Sequence, residues 1–347
     1  RLYEAVKENR LEKQVIGDLL SVNNHMGIDQ QIPEDIPLMT DLPELVGRDS
    51  EWQTLTRLYG ELRQNGVFAA QTGEAGIGKT RLAQDFLTHL NSRGVMTLSA
   101  RAYAGESNLA YGPIIDLLRQ GIHQHTGQNW WQNLNPRWLN EVALLIPELF
   151  GLIPNLTSSQ PSDGPGAQSR FYEGICQALV TLVAGSTPGV IFLDNLEWAD
   201  ESTLDLLAYL VRRLQGRPVC LLAAWRVDVH PAASRLEQIL TDALQQGCAL
   251  RLPLETLPPP QAHELIERYE PADQPFPPAF KTQLIAESGG LPYFLVEYLQ
   301  AAFTGEISAS LEPGKLPLPA GLRGMLQTQL ANLSATALQI LQTAAVI

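Results

Sequence analysis

Short apolar segments alternate with amphipathic ones through the middle of the chain. Five apolar runs have the length and composition of buried β-strands, at residues 67–72, 95–101, 189–194, 219–225 and 248–252. Segments with the 3.6-residue period of a helix separate several of them, namely Thr80–Leu90, Gln168–Ala184 and Ser202–Leu214. Because strands that alternate with helices pair in parallel, the pattern predicts an α/β fold with helices on both faces of the sheet.

Apolar residues also recur at helical spacing on either side of this region. An amphipathic helix is predicted at 44–65, ahead of the first strand. Further helices are predicted at 261–270, 279–288, 292–303, 319–332 and 335–347. The interval 102–167 is predicted to be looser, and its tryptophans fit either a small peripheral core or a recognition surface; they are Trp130, Trp131 and Trp138.

Two proline-containing stretches predict where domains meet. They hold Pro33, Pro37 and Pro43, and Pro313, Pro317 and Pro319. The predicted division is an N-terminal helix with its linker at 1–42, an α/β core at 43–256, a helical subdomain at 257–306, a linker at 307–318 and the start of another domain at 319–347. The chain opens without Met and stops within an apolar helical pattern, so we expect a piece of a longer protein.

Composition narrows the classes of function. Lys and Arg total 24 against 37 Asp and Glu, which gives a net charge of −13 and a pI near 4.9. A phosphate footprint needs a basic surface, so we expect this segment not to bind nucleic acid directly. No run of about 18 apolar residues occurs, and the three scattered cysteines fit a reducing compartment. We therefore expect a cytoplasmic chain that does not engage a membrane.

A glycine-rich segment directly follows the first predicted strand. It matches G-x-x-x-x-G-K-[ST] as Gly73-Glu74-Ala75-Gly76-Ile77-Gly78-Lys79-Thr80. Glycines let successive backbone N–H groups converge on phosphate oxygens. Lys79 would neutralise the β- and γ-phosphates, and the Thr80 hydroxyl would ligate Mg²⁺. The helix that begins near Lys79 adds its positive end, with Arg81 in its first turn. The segment predicts a phosphate-binding loop.

Such a loop needs a carboxylate on a neighbouring strand to hold the metal. The apolar run 189–194 ends in Asp194, which we predict to be this Mg²⁺ partner rather than an acid that merely ends a strand. Hydrolysis normally uses a second acid beside it, but Asn195 stands there and its amide cannot accept a proton. Glu197 could substitute for that acid, or could lie on the surface.

Two further features lie downstream. The predicted strand 219–225 is followed by Arg226, which could sense the γ-phosphate at the carboxyl edge of the sheet or could be a surface residue. Between two predicted helices, Gly289 suits the position after a helix end and Pro292 suits a first helical turn.

In order along the chain, these motifs resemble those of the STAND-class P-loop ATPases, signal-transducing switches related to the AAA+ proteins. The residues that carry the resemblance are Leu45-Val46-Gly47-Arg48, the segment Gly73 to Thr80, Ile191 to Asp200, Arg226 and Gly290-Leu291-Pro292. The resemblance covers about residues 43 to 347. It is strongest to the ATPase modules of large bacterial transcriptional regulators, of the LuxR type and of the type named for Streptomyces antibiotic regulators.

The resemblance implies a five-stranded ASCE-type parallel core, a helical lid and a winged helix, of which 319–347 would be the start. Val46, Gly47 and Arg48 would flank the adenine of ATP or ADP, and Pro292 would touch it from the lid. Arg226 would be the sensor arginine. The winged helix would be a structural arm rather than a DNA reader, and helix 1–20 would be the tail of a preceding helical domain.

The sequence departs from the family at the metal strand and before the sensor arginine. Asn195 and Glu197 stand where members commonly carry a second acid and a histidine, and Ala224 replaces a threonine often found there. These changes affect hydrolysis more than binding, so slow or absent ATP turnover is expected.

Three functions follow from these features. The first is an ATP·Mg²⁺-dependent switch whose partners are its own sensor and effector domains beyond this chain, with nucleotide-dependent self-association as a further interaction. The second is a remodelling ATPase with steady turnover. The third is a nucleotide-binding assembly module that does not hydrolyse ATP.

Overall fold

The computed structural model describes residues 45–154, 156, 166–227, 231–270, 275–307, 316–331 and 335–346. The chain forms two compact units. The first runs from Arg48 to Glu255. The second combines Leu45–Gly47 with the described residues from Thr256 onward. The predicted helix 1–20, the linker 28–43 and most of the loop 157–167 lie outside the described residues.

A five-stranded parallel sheet forms the centre of the first unit. Its strands are β1 (Val67–Thr72), β2 (Thr97–Arg101), β3 (Gly189–Asp194), β4 (Val219–Trp225) and β5 (Ala249–Pro253). Their order across the sheet is β2-β3-β4-β1-β5, and every neighbouring pair is parallel. The predicted α/β fold with a five-stranded parallel sheet is confirmed.

The central strands β3 and β4 form here because their side chains are apolar on both faces. All residues of β3 and β4 are buried, as expected for a sheet covered on both sides. The register pairs Thr72 with Trp225 and Arg101 with Asp194. The carboxyl ends of β1, β2, β3 and β4 therefore meet at one edge, where loops collect polar side chains.

Helices cover both faces of this sheet. They are α1 (Asp49–Glu61), α2 (Lys79–Asn91), α3 (Gly112–Gln124), α4 (Pro136–Ala143), α5 (Leu149–Leu152), α6 (Ala167–Leu182), α7 (Glu201–Val211) and α8 (Pro231–Gln245). The helix predicted at 44–65 is shorter at both ends. Short 3₁₀ turns lie at Trp130–Asn133 and Leu196–Trp198.

The expectation that 102–167 would be loose is wrong, because α3, α4 and α5 lie within it. The tryptophans of this interval belong to a core and not to a recognition surface. Trp130 is buried in the main hydrophobic cluster of the unit, together with Leu139 and Val142, and Trp131 and Trp138 pack against that cluster.

The second unit is helical. Its helices are α9 (Pro259–Tyr269), α10 (Pro278–Ser288), α11 (Pro292–Phe303), α12 (Ala320–Ala331) and α13 (Ala335–Val346), and their bounds lie within two residues of the predicted ones. One hydrophobic cluster joins Val46, Leu295 and Leu322. Whether α12 and α13 begin a winged helix stays a prediction. Among the described helices, none is both long and apolar enough to cross a membrane.

The turn between α10 and α11 has the predicted form. Gly289 follows the last residue of α10 with a φ of +56°, and α11 begins at Pro292. Gly290 has a φ of +75°, and a Cβ there would lie 2.4 Å from the carbonyl oxygen of Leu257. The Leu257 N–H donates to the Gly290 carbonyl over 2.8 Å. Only glycine fits this approach of two backbone segments.

Candidate nucleotide-binding site

The glycine-rich loop lies between β1 and α2, as predicted. Gly76 and Gly78 have φ values of +75° and +99°, a region that costs a residue with a Cβ about 1–2 kcal/mol. Gly78 is the N-cap of α2, so the loop leads directly into the helix. Backbone N–H groups at such a helix start have no partner within the helix and are available for an anion.

Lys79 closes this loop. Its side chain is buried, and Nζ donates to the carbonyl oxygens of Gly73 over 3.0 Å and of Glu74 over 2.8 Å. The ammonium group therefore lies across the loop rather than extending into solvent. Arg81, in the first turn of α2, pairs through Nε with Asp85 over 2.8 Å.

Thr80 and Asp194 are brought together from positions 114 residues apart. The Thr80 hydroxyl donates to Oδ2 of Asp194 over 2.9 Å. Asp194 is 2% exposed at the end of β3. The two side chains predicted to hold Mg²⁺ thus meet at the sheet edge that carries the glycine-rich loop.

Arg101 also belongs to this cluster, and the sequence analysis did not identify it. Its Nε and Nη2 donate to Oδ2 of Asp194 over 3.1 Å and 2.9 Å. Arg101 ends β2, which pairs directly with β3. A polar residue after a short apolar run was the signal that identified Asp194, and the same signal was present at Arg101.

Asn195 takes a backbone conformation that few residues adopt. Its φ is +54°, in the left-handed region that asparagine tolerates better than other residues with a Cβ. Its N–H donates to Oδ1 of Asp194 over 3.0 Å. Asparagine at this position therefore shapes the turn after β3 and contributes an amide where many P-loop enzymes carry an acid.

Glu197 and Arg226 lie next to each other, in the segments that follow β3 and β4. Oε2 of Glu197 accepts a hydrogen bond from the Arg226 N–H over 3.3 Å, and Oε1 lies 4.0 Å from Nε of Arg226. Glu197 is 2% exposed, so the surface alternative for it is wrong. Its Oε1 is buried and accepts no hydrogen bond from the described residues. Burial raises the pKa of this carboxyl, while the charges of Lys79 and Arg226 lower it.

The Arg48 side chain supports the glycine-rich loop by hydrogen bonds to backbone carbonyls. Its side chain is 5% exposed, and Nη2 donates to the carbonyl oxygens of Ile77 over 2.8 Å and of Glu255 over 2.7 Å. Nη1 pairs with Glu51 over 3.0 Å. These bonds tie the glycine-rich loop to the chain after β5. The predicted adenine contact of Arg48 stays a prediction.

Val46, Gly47 and Pro292 belong to the second unit. Val46 is buried in its hydrophobic cluster. Gly47 has a φ of +68°, and a Cβ there would lie 2.8 Å from Leu257 Cδ2. Pro292 is the first residue of α11. Their predicted contacts with adenine also stay predictions.

The residues of the first unit fit a magnesium nucleotide. A hydroxyl and a buried carboxylate are the hard oxygen ligands that Mg²⁺ prefers. The loop joins a strand to a helix N-terminus, which is the setting of phosphate-binding loops. Oε1 of Glu197, which accepts no hydrogen bond from the described residues, leaves one buried acceptor for a further polar group at the same edge.

Sheet order and loop together define a P-loop nucleoside triphosphatase fold. The family model of the AAA ATPase domain matches residues 44–222, more than half of the chain. The chain belongs to this AAA ATPase family.

One curated relative is an uncharacterized protein of Rhizobium meliloti (strain 1021). It is 23% identical over 332 residues, which cover 87% of this chain and 29% of that protein. The chain thus spans less than a third of the relative's length.

Solved structures with a similar chain path are more distant. ORC1 of Aeropyrum pernix, solved in complex with DNA, is 15% identical with a TM-score of 0.43, and the match covers 94% of this chain and 73% of that one. A STAND protein of Pyrococcus horikoshii with a tetratricopeptide repeat sensor is 12% identical with a TM-score of 0.43, over 87% of this chain and 35% of that one. AMPPCP-bound DnaA of Aquifex aeolicus is 12% identical with a TM-score of 0.41, over 78% and 65%.

Proposed function

We propose that this chain is an ATP·Mg²⁺-binding switch module of a larger signal-transduction regulator. The observation that supports it most directly is the 2.9 Å hydrogen bond between Thr80 and Asp194 beside the loop closed by Lys79. Residues 114 apart in the chain meet where a P-loop site needs them. The membership in the AAA ATPase family agrees with nucleotide binding.

The chain's own residues would divide the work of binding. Backbone N–H groups from Gly76 to Thr80 would donate hydrogen bonds to phosphate oxygens. The Lys79 ammonium group would leave the Gly73 and Glu74 carbonyls and bind the β- and γ-phosphates. Thr80 and Asp194 would hold the magnesium ion, which when bound supplies positive charge to the phosphate oxygens. ATP is favoured over GTP because the sequence lacks the guanine-reading Asn-Lys-x-Asp motif.

Turnover is proposed to be slow. Asn195 cannot accept a proton from an attacking water, and its backbone has the left-handed conformation that asparagine tolerates. Glu197 is the remaining acid at this edge, and its Oε1 is a buried acceptor that could orient water. Arg226, held beside Glu197, would respond to the γ-phosphate.

A switch needs differential contacts, because a ligand shifts an equilibrium only by its difference in affinity for two states. The γ-phosphate would supply that difference through Lys79 and Arg226. Sensor and effector domains elsewhere in the protein would set and report the state. Control of transcription, as in the regulators that the motifs resemble, is our proposal for the output, and nucleotide-dependent self-association is a further one.

A second candidate is an assembly module that binds ATP and does not hydrolyse it. Asn195 in place of the second acid favours this alternative. Mass spectrometry of the nucleotide that copurifies with the chain helps to separate the two, since unprocessed ATP favours the assembly module and ADP favours the switch.

Isothermal titration calorimetry with ATP and MgCl₂ tests the proposal. Wild type is expected to bind, and Lys79→Ala is expected to weaken binding by at least about tenfold, because it removes the ammonium group that faces the phosphates. Lys281→Ala is the matched control, since Lys281 lies in the second unit and pairs with Glu270 over 2.8 Å. Absence of binding by folded wild type, or equal affinity in Lys79→Ala, contradicts the proposal.

A further inference from the structure

The Asp194 carboxylate is bonded by more protein groups than a magnesium-holding acid needs. Oδ2 accepts hydrogen bonds from the Thr80 hydroxyl over 2.9 Å and from two nitrogens of Arg101 over 3.1 Å and 2.9 Å. Oδ1 accepts the N–H of Asn195 over 3.0 Å. Both oxygens are therefore engaged, and one of the three partners carries a full positive charge.

Sheet register places Arg101 there. It is the last residue of β2, and its Cα partner across the sheet is Asp194. The Arg101 side chain is 41% exposed, whereas that of Asp194 is 3% exposed. A solvent-facing guanidinium thus reaches in to pair with a buried carboxylate. Because the Arg101 guanidinium stays partly hydrated while it is paired, the pair costs it little desolvation and holds it less firmly than a fully buried arginine. A metal ion that binds Asp194 could therefore displace it.

We propose that Arg101 competes with magnesium for Asp194 and so sets the metal concentration at which this site binds nucleotide. This inference rests on the proposed nucleotide function. A divalent ion is attracted by the negative charge of its ligands, and the Arg101 guanidinium cancels that charge at Asp194. Oδ2 of Asp194 accepts the hydrogen bonds of both Arg101 nitrogens. The same oxygen accepts the hydrogen bond of Thr80, the other predicted magnesium ligand.

The contacts of Lys79 differ from those of Arg101. Lys79 donates hydrogen bonds to the Gly73 and Glu74 carbonyls, whereas Arg101 forms an ion pair with Asp194. Substitution of Arg101 therefore leaves Lys79 in place and changes the charge beside Asp194. The two effects can be separated by experiment.

The test follows Mn²⁺ as a paramagnetic stand-in for Mg²⁺. Loss of the free Mn²⁺ signal in electron paramagnetic resonance reports metal binding to the protein in the presence of a non-hydrolysable ATP analogue at one equivalent, after the loss measured with the same concentration of analogue alone has been subtracted. Arg101→Gln is expected to lower the half-saturating Mn²⁺ concentration by about tenfold, because Mn²⁺ then no longer has to displace a charge-assisted hydrogen-bonded pair from Asp194. Arg101→Lys keeps the charge but loses the contact through two nitrogens. Its half-saturating Mn²⁺ concentration should lie between those of wild type and Arg101→Gln. Arg119→Gln is the control, since Arg119 pairs with Glu148 on the surface.

A thermal readout accompanies the titration. In EDTA without nucleotide, Arg101→Gln should melt at a lower temperature than Arg119→Gln, because it leaves the buried Asp194 without its cation. Mn²⁺ with the analogue should narrow this difference. Circular dichroism shows whether each variant is folded. If Arg101→Gln does not fold, the comparison of Arg101→Lys with wild type still tests the inference.

An unchanged half-saturating Mn²⁺ concentration in a folded Arg101 variant overturns the inference and leaves the proposed function intact. A raised concentration also overturns it, because Arg101 would then assist the bound nucleotide. If wild type and every variant fail to bind the analogue, the proposed function itself fails, and the inference with it.

Discussion

Arg48 donates from Nη2 to the backbone carbonyl of Ile77, 29 residues away, inside the phosphate-binding loop. The same nitrogen donates to the carbonyl of Glu255. One buried guanidinium therefore fixes the loop against the end of the sheet. The shape of a P-loop is set by its own glycines, and here a side chain from outside the motif also holds it.

Arg48→Ala is expected to destabilise the first unit by about 2–4 kcal/mol, because the buried Ile77 carbonyl and the part-buried Glu255 carbonyl lose their donor. ATP affinity should fall as well, since the loop loses its support. Urea unfolding followed by tryptophan fluorescence measures the stability. All six tryptophans lie between Trp52 and Trp225, within this unit.

The control for this prediction is Arg63→Ala. Arg63 also donates to two backbone carbonyls, those of Gly60 and Leu62, but it is exposed. Water can replace its bonds, so a change within about 0.5 kcal/mol is expected. Equal losses for the two variants would show that Arg48 does not act through burial of the carbonyls.

Local rules explain which parts of the site the sequence predicted. Lys79 and Thr80 follow from a contiguous motif, and Asp194 follows from an apolar run that ends in an acid. Arg101 follows the same rule, but its meaning depends on β2 lying next to β3. Strand order is a property of the whole sheet, and periodicity along one segment does not reveal it.

The sequence likewise predicted some elements of the fold and missed others. β1, β3 and β4 have the predicted bounds because each is a continuous apolar run. Two of the helices of 102–167 were missed because α4 has eight residues and α5 has four, too few for a 3.6-residue period to show. The third, α3, has 13 residues, so its length does not explain why it was missed. Likewise, the contact of Arg48 with Glu255 spans 207 residues, and no local pattern indicates it.

Asn195→Asp is expected to raise ATP turnover by about tenfold or more, because it supplies a carboxylate where general-base catalysis is worth about 10²–10⁴-fold. Steady-state phosphate release measures it. Asn195→Gly is the control, since glycine accepts the φ of +54° and adds no acid. Turnover equal to wild type in the Asp variant would contradict our explanation of slow hydrolysis.

Glu197→Gln is expected to change how stability depends on pH. Burial raises the pKa of this carboxyl above its usual 4.5. The folded protein then holds a proton that the unfolded chain releases, so stability falls as pH rises from about 4.5 through the folded-state pKa. The glutamine variant lacks this loss, and its free energy of unfolding minus that of wild type should rise across this window and then level off.

Glu148→Gln gives the opposite sign and serves as the control. A hydrogen bond from its own backbone N–H and another from Arg119 lower the pKa of Glu148. Its ionised form therefore stabilises the fold, and the variant should lose stability relative to wild type as pH rises. Urea unfolding at several pH values measures both differences. A flat difference for Glu197→Gln would mean that its carboxyl titrates alike in the folded and unfolded states.

Gly290→Ala is expected to destabilise the second unit more than Gly305→Ala. Both glycines have a φ of +75°, so both substitutions cost the same backbone strain, about 1–2 kcal/mol. A Cβ at Gly290 meets the Leu257 carbonyl at 2.4 Å, whereas one at Gly305 meets no described atom within 4 Å. The clash adds about 1–3 kcal/mol. Far-UV circular dichroism should record the loss, with tryptophan fluorescence of the first unit as reference. Equal losses would show that the Leu257 segment moves aside freely, and that its hydrogen bond to Gly290 does not fix the turn before α11.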